Sequence, residues 1–108
     1  MNIGQIAKMA QQMQTQMAQA QEELRQTTIE ASAGGGAVRI VITGAQEVRS
    51  VEIDPSAIDP DEAEMLQDLV MTAINEAIAR SKELERERMA GIAGAMGLPG
   101  MPGQPGFG

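Results

Sequence analysis

Lysine, arginine, aspartate and glutamate supply nearly all the reactive side chains of this chain. The sequence has eight lysines and arginines and fifteen aspartates and glutamates, but no cysteine and no histidine. Without thiolates or imidazoles, the usual zinc sites and the common nucleophile–base arrangements cannot be assembled. We therefore expect no enzymatic activity, no metal, no cofactor and no small-molecule substrate. The chemistry that remains is the pairing of charges with a partner.

The charges are unevenly distributed. The net charge is −7, but residues 47–64 hold seven acids and one arginine, whereas residues 80–88 hold four basic residues and three acids. An acidic balance opposes binding to a polyanion, so the near-neutral parts of the chain are the candidates for contact with phosphate groups. The candidate residues are Lys8, Arg25, Arg80, Lys82, Arg86 and Arg88, with Arg39 and Arg49 ranked lower.

A simpler interpretation of the same charges stays open. Several acids and bases stand three or four residues apart, and side chains at those spacings face each other on a helix. The pairs are Glu76–Arg80, Glu83–Arg86 and Glu85–Arg88. In this interpretation the basic residues only support an exposed helix.

Residues 37–55 predict an antiparallel hairpin with one buried face. Apolar residues alternate in two runs on either side of a turn: Val38, Ile40 and Ile42, then Gly44 and Ala45, then Val51 and Ile53. The β-branched residues within 27–32 predict a further strand, which turns through Gly34–Gly36. No lysine or hydroxyl of a phosphate-binding loop follows these glycines, so a plain hairpin turn is expected.

Long helices are predicted on both sides of the strands, from Ile3 to Thr27 and from Pro60 to Ala90. The first has a heptad seam, which indicates a coiled-coil-like rod, and eight glutamines on its other faces. In the second, Asp59 is the predicted N-cap and Pro60 the first helical residue. The seam consists of Ile3, Ile6, Ala10, Met13, Met17, Ala20 and Leu24.

These elements predict an α+β fold in the order α-β-β-β-α, with a three-stranded antiparallel sheet and two long flanking helices. Helices of about 25 and 30 residues extend roughly 38 to 45 Å, well beyond three short strands. Their overhanging apolar seams and the open sheet edges favour a homodimer with projecting arms. We assign residues 1–90 to this domain and expect residues 91–108, rich in glycine and proline, to be a flexible tail.

The sequence shows no signal peptide and no run of eighteen apolar residues, so we expect a cytoplasmic protein without a membrane partner. Methionines also suggest an alternative function. Met9, Met13 and Met17 could line arms that hold an apolar helix or client, as in a non-catalytic scaffold.

Taken together, the segments resemble the YbaB/EbfC family of bacterial nucleoid-associated proteins. The resemblance covers essentially the whole chain, and its most specific part is VEIDPS at residues 51–56 followed by EMLQDLV at residues 64–70. Further matches are QQMQ at 11–14, QEE at 21–23, Gly44-Ala45, AINEA at 73–77 and LPG at 98–100.

The resemblance implies a tweezer-like homodimer without enzymatic activity. It also implies binding to double-stranded DNA with little sequence preference, location in the nucleoid, and a role in nucleoid organisation or gene regulation. The family supplies no defined set of DNA contacts, so the candidates remain those given by the charge distribution. One departure is that the chain lacks the glycine- and lysine-containing lead often found before the first helix, which leaves Lys8 as the only lysine before Lys82.

Overall fold

A computed structural model describes residues 2–95 of the 108-residue chain. The order α-β-β-β-α is confirmed, with two single-turn 3-10 helices before the last element. The elements are α1 (Ile3–Gln26), β1 (Thr28–Ala33), β2 (Val38–Thr43), β3 (Val48–Ile53), the 3-10 turns Pro55–Ala57 and Pro60–Glu62, and α2 (Ala63–Ala95).

The three strands form one antiparallel sheet in the order β1-β2-β3. Gly34, Gly35 and Gly36 all have positive φ, a conformation that glycine adopts at no steric cost, and they turn β1 into β2. The predicted hairpin turn at the glycine triplet is therefore confirmed. A register shift between Val41 and Ile42 bends the pairing of β2 with β3.

The core lies between α2 and the first two strands. Val38, Ile40 and Ile42 of β2 are fully buried, and α2 presents Ala73 and Ala77 to them. The two alanines have small side chains, so the helix backbone can approach the sheet closely. Burial of each large aliphatic side chain contributes about 1.5 to 3 kcal/mol.

The face of β3 differs from the prediction. Val51 and Ile53 were expected on the buried face, but Val51 is 53% exposed and Ile53 is only half-buried. Val51 lies opposite the buried Ile40, so both side chains point to the same side of the sheet. The reason for the exposure is that α2 packs against β1 and β2 and leaves β3 uncovered.

The apolar seam of α1 is buried only at its C-terminal end. Leu24 and Ala20 are buried and Met13 is half-buried, whereas Ile3 and Ile6 are exposed. At this end α1 packs against α2, and the backbone N–H of Gly44 donates to the carbonyl oxygens of Leu24 and Thr27. The first half of α1 therefore stands clear of the sheet.

The boundaries of α2 also differ from the prediction. Asp59 caps the 3-10 turn by accepting a hydrogen bond from the N–H of Asp61, and the α-helix begins only at Ala63. The helix continues past Ala90 to Ala95, because alanines and Ile92 surround Gly91 and Gly94, and each glycine costs only about 1 kcal/mol. Residues 96–108 of the predicted tail lie outside the described residues.

Candidate nucleic-acid interface

Four of the six candidate basic residues form ion pairs on the two helices. Arg25 pairs with Glu22 at 2.7 Å, Arg80 with Glu76 at 2.8 Å and Arg86 with Glu83 at 2.7 Å. The predicted pairs Glu76–Arg80 and Glu83–Arg86 are thus confirmed. These guanidinium groups are exposed but already neutralised, which weakens each of them as an anchor for a phosphate.

Arg88 is the fourth paired residue, and its partner is not the predicted one. It is only partly exposed and donates to a carboxylate oxygen of Glu23 on α1 instead of pairing with Glu85. The pairing follows from the antiparallel packing of the two helices, which places Arg88 against α1. Arg88 therefore joins the two helices.

Arginines near the sheet also have structural contacts. Arg49 lies 3.5 Å from Glu47 and donates a 3.0 Å hydrogen bond to the carbonyl oxygen of Arg25. Arg80 donates a 3.0 Å hydrogen bond to the carbonyl oxygen of Glu30, in addition to its pair with Glu76. Arg39 lies 3.9 Å from Glu30. The hydrogen bonds of Arg49 and Arg80 hold α1 and α2 against the sheet, whereas the Arg39 contact joins two strands.

Lys8 and Lys82 are the two basic side chains that pair with no carboxylate within residues 2–95. Both are exposed. Lys8 is on the projecting half of α1, about 26 Å along the helix axis from Arg25. The structure therefore does not bring the six candidates together into one patch, and within residues 2–95 it neutralises the four arginines but leaves the two lysines unpaired.

The carboxylate beside Arg25 is held in its charged form. Hydrogen bonds from the Arg25 guanidinium, and then from the Gln26 amide, keep the pKa of Glu22 below its usual value. A carboxylate that stays ionised across the neutral range keeps the net charge of this pair near zero.

Sequence reasoning missed a row of four glutamine amides and one lysine on α1. The row consists of Gln5, Lys8, Gln12, Gln16 and Gln19, at steps of 3, 4, 4 and 3 residues, and we call it the amide stripe. Such steps place all five side chains on one helix face, and all five are exposed. From the sequence these glutamines were placed only on the other faces of the predicted rod, although their spacing already contained the signal.

A second surface is apolar and uncovered. Leu66, Val70, Met71 and Ile74 of α2 line a groove, which we call the apolar groove. Arg80 attaches one flank of α2 to β1, and helical spacing turns Met71 and Ile74 to the opposite flank, toward β3. Val48 and Val51 of β3 are about half exposed on the same face of the sheet. This surface therefore consists of core-like apolar side chains that nothing else within residues 2–95 covers.

Two classes of site are not found within residues 2–95. No group of three or more histidine, cysteine, aspartate or glutamate side chains there could hold a metal ion. Among the helices in that range, none combines the length and the apolar character that a bilayer crossing requires.

The arrangement of a sheet body, a projecting helix and surface cations matches a known class of protein. A model of the YbaB/EbfC DNA-binding family matches residues 1–96. The chain belongs to this family.

Proteins similar in sequence to this chain are named nucleoid-associated proteins. A nucleoid-associated protein of Chloroflexus aurantiacus is 51% identical over 89 residues, which cover 82% of this chain and 89% of that protein. A nucleoid-associated protein of Acetivibrio thermocellus is 49% identical over 83 residues, which cover 77% of this chain and 74% of that protein. The crystal structure of the uncharacterized protein HP0035 from Helicobacter pylori superimposes with a TM-score of 0.73 at 26% identity, covering 83% of this chain and 94% of that one.

Proposed function

We propose that this chain is a nucleoid protein that binds double-stranded DNA as a homodimer, with little sequence preference. Membership of the YbaB/EbfC DNA-binding family, over residues 1–96, is the observation that carries this proposal. The names of the Chloroflexus and Acetivibrio relatives support a place in the nucleoid. A non-catalytic role in nucleoid organisation and gene regulation follows from such binding.

The apolar groove supports the dimer. Its exposed side chains continue the buried core of the same sheet face, and β3 has a free edge in the described part of the chain. A second copy is the partner that fits best, because two copies related by a two-fold axis would cover each other's groove and the β3 edge of each chain. Each copy then contributes one projecting α1 arm.

Low sequence preference follows from the kind of contact that the arms can make. Phosphate contacts position a protein on the duplex but carry no sequence information. In the described range, 2–95, the free basic side chains are Lys8 and Lys82, and a lysine is a flexible point charge without the planar fork that arginine uses to read guanine. The arms therefore suit the backbone of any duplex.

A mobility-shift assay on two unrelated duplexes in low salt tests the proposal. We expect a shift at micromolar protein for both duplexes, and we expect Lys8→Ala with Lys82→Ala to weaken binding about tenfold, since each lysine releases counterions from the duplex. Arg86→Ala is the matched control, and its effect should be within about twofold because Glu83 already neutralises Arg86. Absence of a shift for the wild-type protein at micromolar concentration would contradict the proposal.

One observation favours a second candidate, a scaffold that holds an apolar client. Met9 and Met17 are 42% and 41% exposed on α1, whereas Met13 is half-buried. Two methionines are thus available for contact with an apolar helix. Recovery of one stoichiometric protein partner, unchanged by nuclease treatment, would favour this function over DNA binding.

A further inference from the structure

We propose that the amide stripe of α1 is the surface that contacts the phosphate groups of duplex DNA, chiefly through uncharged hydrogen bonds. This inference rests on the proposed function and assigns its contact surface. The stripe runs from Gln5 to Gln19, so it begins on the projecting half of the helix and continues toward the end that packs against α2. Over those fifteen residues it extends about 21 Å, on a helix whose diameter matches a major groove about 12 Å wide.

The position of the stripe separates it from the acidic body. Six of the seven acids within residues 47–64 follow Val51, on the end of β3, the 3-10 turns and the start of α2, at the end of the sheet opposite the β2–β3 turn that α1 contacts. Gln5 is about 31 Å along the helix from Gln26, where α1 reaches that turn. Because the Debye length is about 10 Å at 0.1 M salt, the repulsion between the body and DNA is largely screened at the stripe.

The amides of the stripe are free to bind a ligand. A glutamine amide carries two N–H donors and one acceptor oxygen. Within residues 2–95, Gln26 is the only glutamine of α1 whose side chain is hydrogen-bonded to another group. The four stripe glutamines can therefore donate to phosphate oxygens, which are regular partners of this side chain in protein–DNA complexes.

The arginines are poorer contacts for a physical reason. Arg25, Arg80, Arg86 and Arg88 each have a carboxylate partner within hydrogen-bond distance. These exposed pairs are individually weak, so a phosphate can displace the carboxylate. The displaced carboxylate nevertheless stays a few ångströms away and repels the same phosphate. Binding through these residues would deliver little net positive charge to the duplex.

The salt dependence of binding distinguishes contact through the amide stripe from contact through all six basic candidates. If each protomer of a dimer engages Lys8, with or without Lys82, a plot of log K against log salt should have a slope of about −2 to −4. If all six candidate cations of both protomers were engaged, the slope would be about −11. We expect the shallow slope, measured by fluorescence anisotropy on a labelled duplex.

A pair of isoelectric variants tests the location of the contact. Gln12 is on the stripe, and Gln14 is two residues away on the opposite side of the helix; both are exposed. Gln12→Glu and Gln14→Glu change the net charge equally and preserve side-chain shape and helix propensity. We expect Gln12→Glu to weaken binding about tenfold or more, and Gln14→Glu to change it by less than about threefold, because only Gln12 faces the duplex.

The outcomes distinguish the inference from the function on which it rests. A shallow slope together with selective loss for Gln12→Glu supports the amide stripe. Wild-type binding with a steep slope and equal loss for the two variants overturns the stripe and leaves the DNA-binding function standing. Failure of the wild-type protein to bind in low salt overturns the function itself. Circular dichroism of both variants confirms that α1 remains helical.

Discussion

Ser81 is a buried side chain that joins α2 to the turn between β2 and β3. Its hydroxyl donates to the carbonyl oxygen of Thr43 at 2.6 Å and accepts hydrogen bonds from the backbone N–H and the side-chain amide of Gln46, at 3.1 and 2.9 Å. Gln46 has a φ of 60°, so its backbone conformation is strained without such support. The single hydroxyl therefore fixes the angle at which the helix leaves the sheet.

Replacement of Ser81 by alanine should lower the free energy of unfolding by about 1 to 3 kcal/mol, because it leaves buried polar groups without partners. Urea denaturation measures the change. Ser32→Ala, at an exposed position of β1, is the control and should change stability by less than about 0.5 kcal/mol. Equal stability of the two variants would show that the Ser81 contacts contribute nothing.

Among single residues, the sequence predicted ion pairs between neighbours on one helix but not contacts between segments distant in the chain. Glu76–Arg80 and Glu83–Arg86 follow from helical spacing, since both partners are on one turn. The partner of Arg88 is Glu23, 65 residues away in the chain, and no spacing rule could identify it. The network around Ser81 was missed for the same reason, because Thr43 and Gln46 are 35 or more residues away in the chain.

Among the elements, α1 passes very close to the β2–β3 turn at Gly44. A Cβ added to Gly44 would lie 2.6 Å from Leu24 Cδ2, 3.1 Å from Leu84 Cδ2 and 3.2 Å from the Leu24 carbonyl oxygen. Gly44 thus allows the β2–β3 turn to pass beneath both helices, and its N–H satisfies a carbonyl at the end of α1.

Gly44→Ala should therefore lower the free energy of unfolding by about 1 to 3 kcal/mol through steric overlap. Gly91→Ala provides the contrast, since nothing lies within 4 Å of a Cβ at this helical position. That substitution should raise stability by about 0.5 to 1 kcal/mol through helix propensity. Thermal denaturation of both variants measures these changes, and a Gly44→Ala protein as stable as the wild type would contradict the proposed contact.

The elements themselves were largely predictable, because their periodicities are long and regular. Alternation identified β2 and β3, and heptad spacing identified α1. The exposure of β3 was not predictable, because alternation shows which residues share a face but not whether a helix covers that face. The helical spacing of Gln5, Gln12 and Gln19 was visible in the sequence, but only the structure showed that these side chains are exposed.

The whole molecule is elongated, with extents of 70 × 31 × 16 Å. Such a shape leaves a single chain with much exposed surface for its core, which is consistent with a second copy on the apolar groove. The proposed dimer would present two α1 arms instead of one.

Ile74→Asp places a charge in the groove and should weaken dimerisation about a hundredfold or more, because a buried unpaired charge costs about 3 kcal/mol or more. Sedimentation equilibrium measures the monomer–dimer constant. The matched control is Ile3→Asp at the far end of α1, where the side chain is 84% exposed, and it should leave the constant unchanged. Equal dimerisation of the two variants would exclude the groove as the interface.

The mass of the protein–DNA complex at its limiting stoichiometry is the decisive test of the proposed DNA-binding homodimer. A short duplex that accommodates one site should sediment, at micromolar protein in low salt, with two chains of 11.4 kDa bound. We predict this two-to-one complex for duplexes of unrelated sequence. A complex with one chain per duplex, or free DNA at every protein concentration, would contradict it.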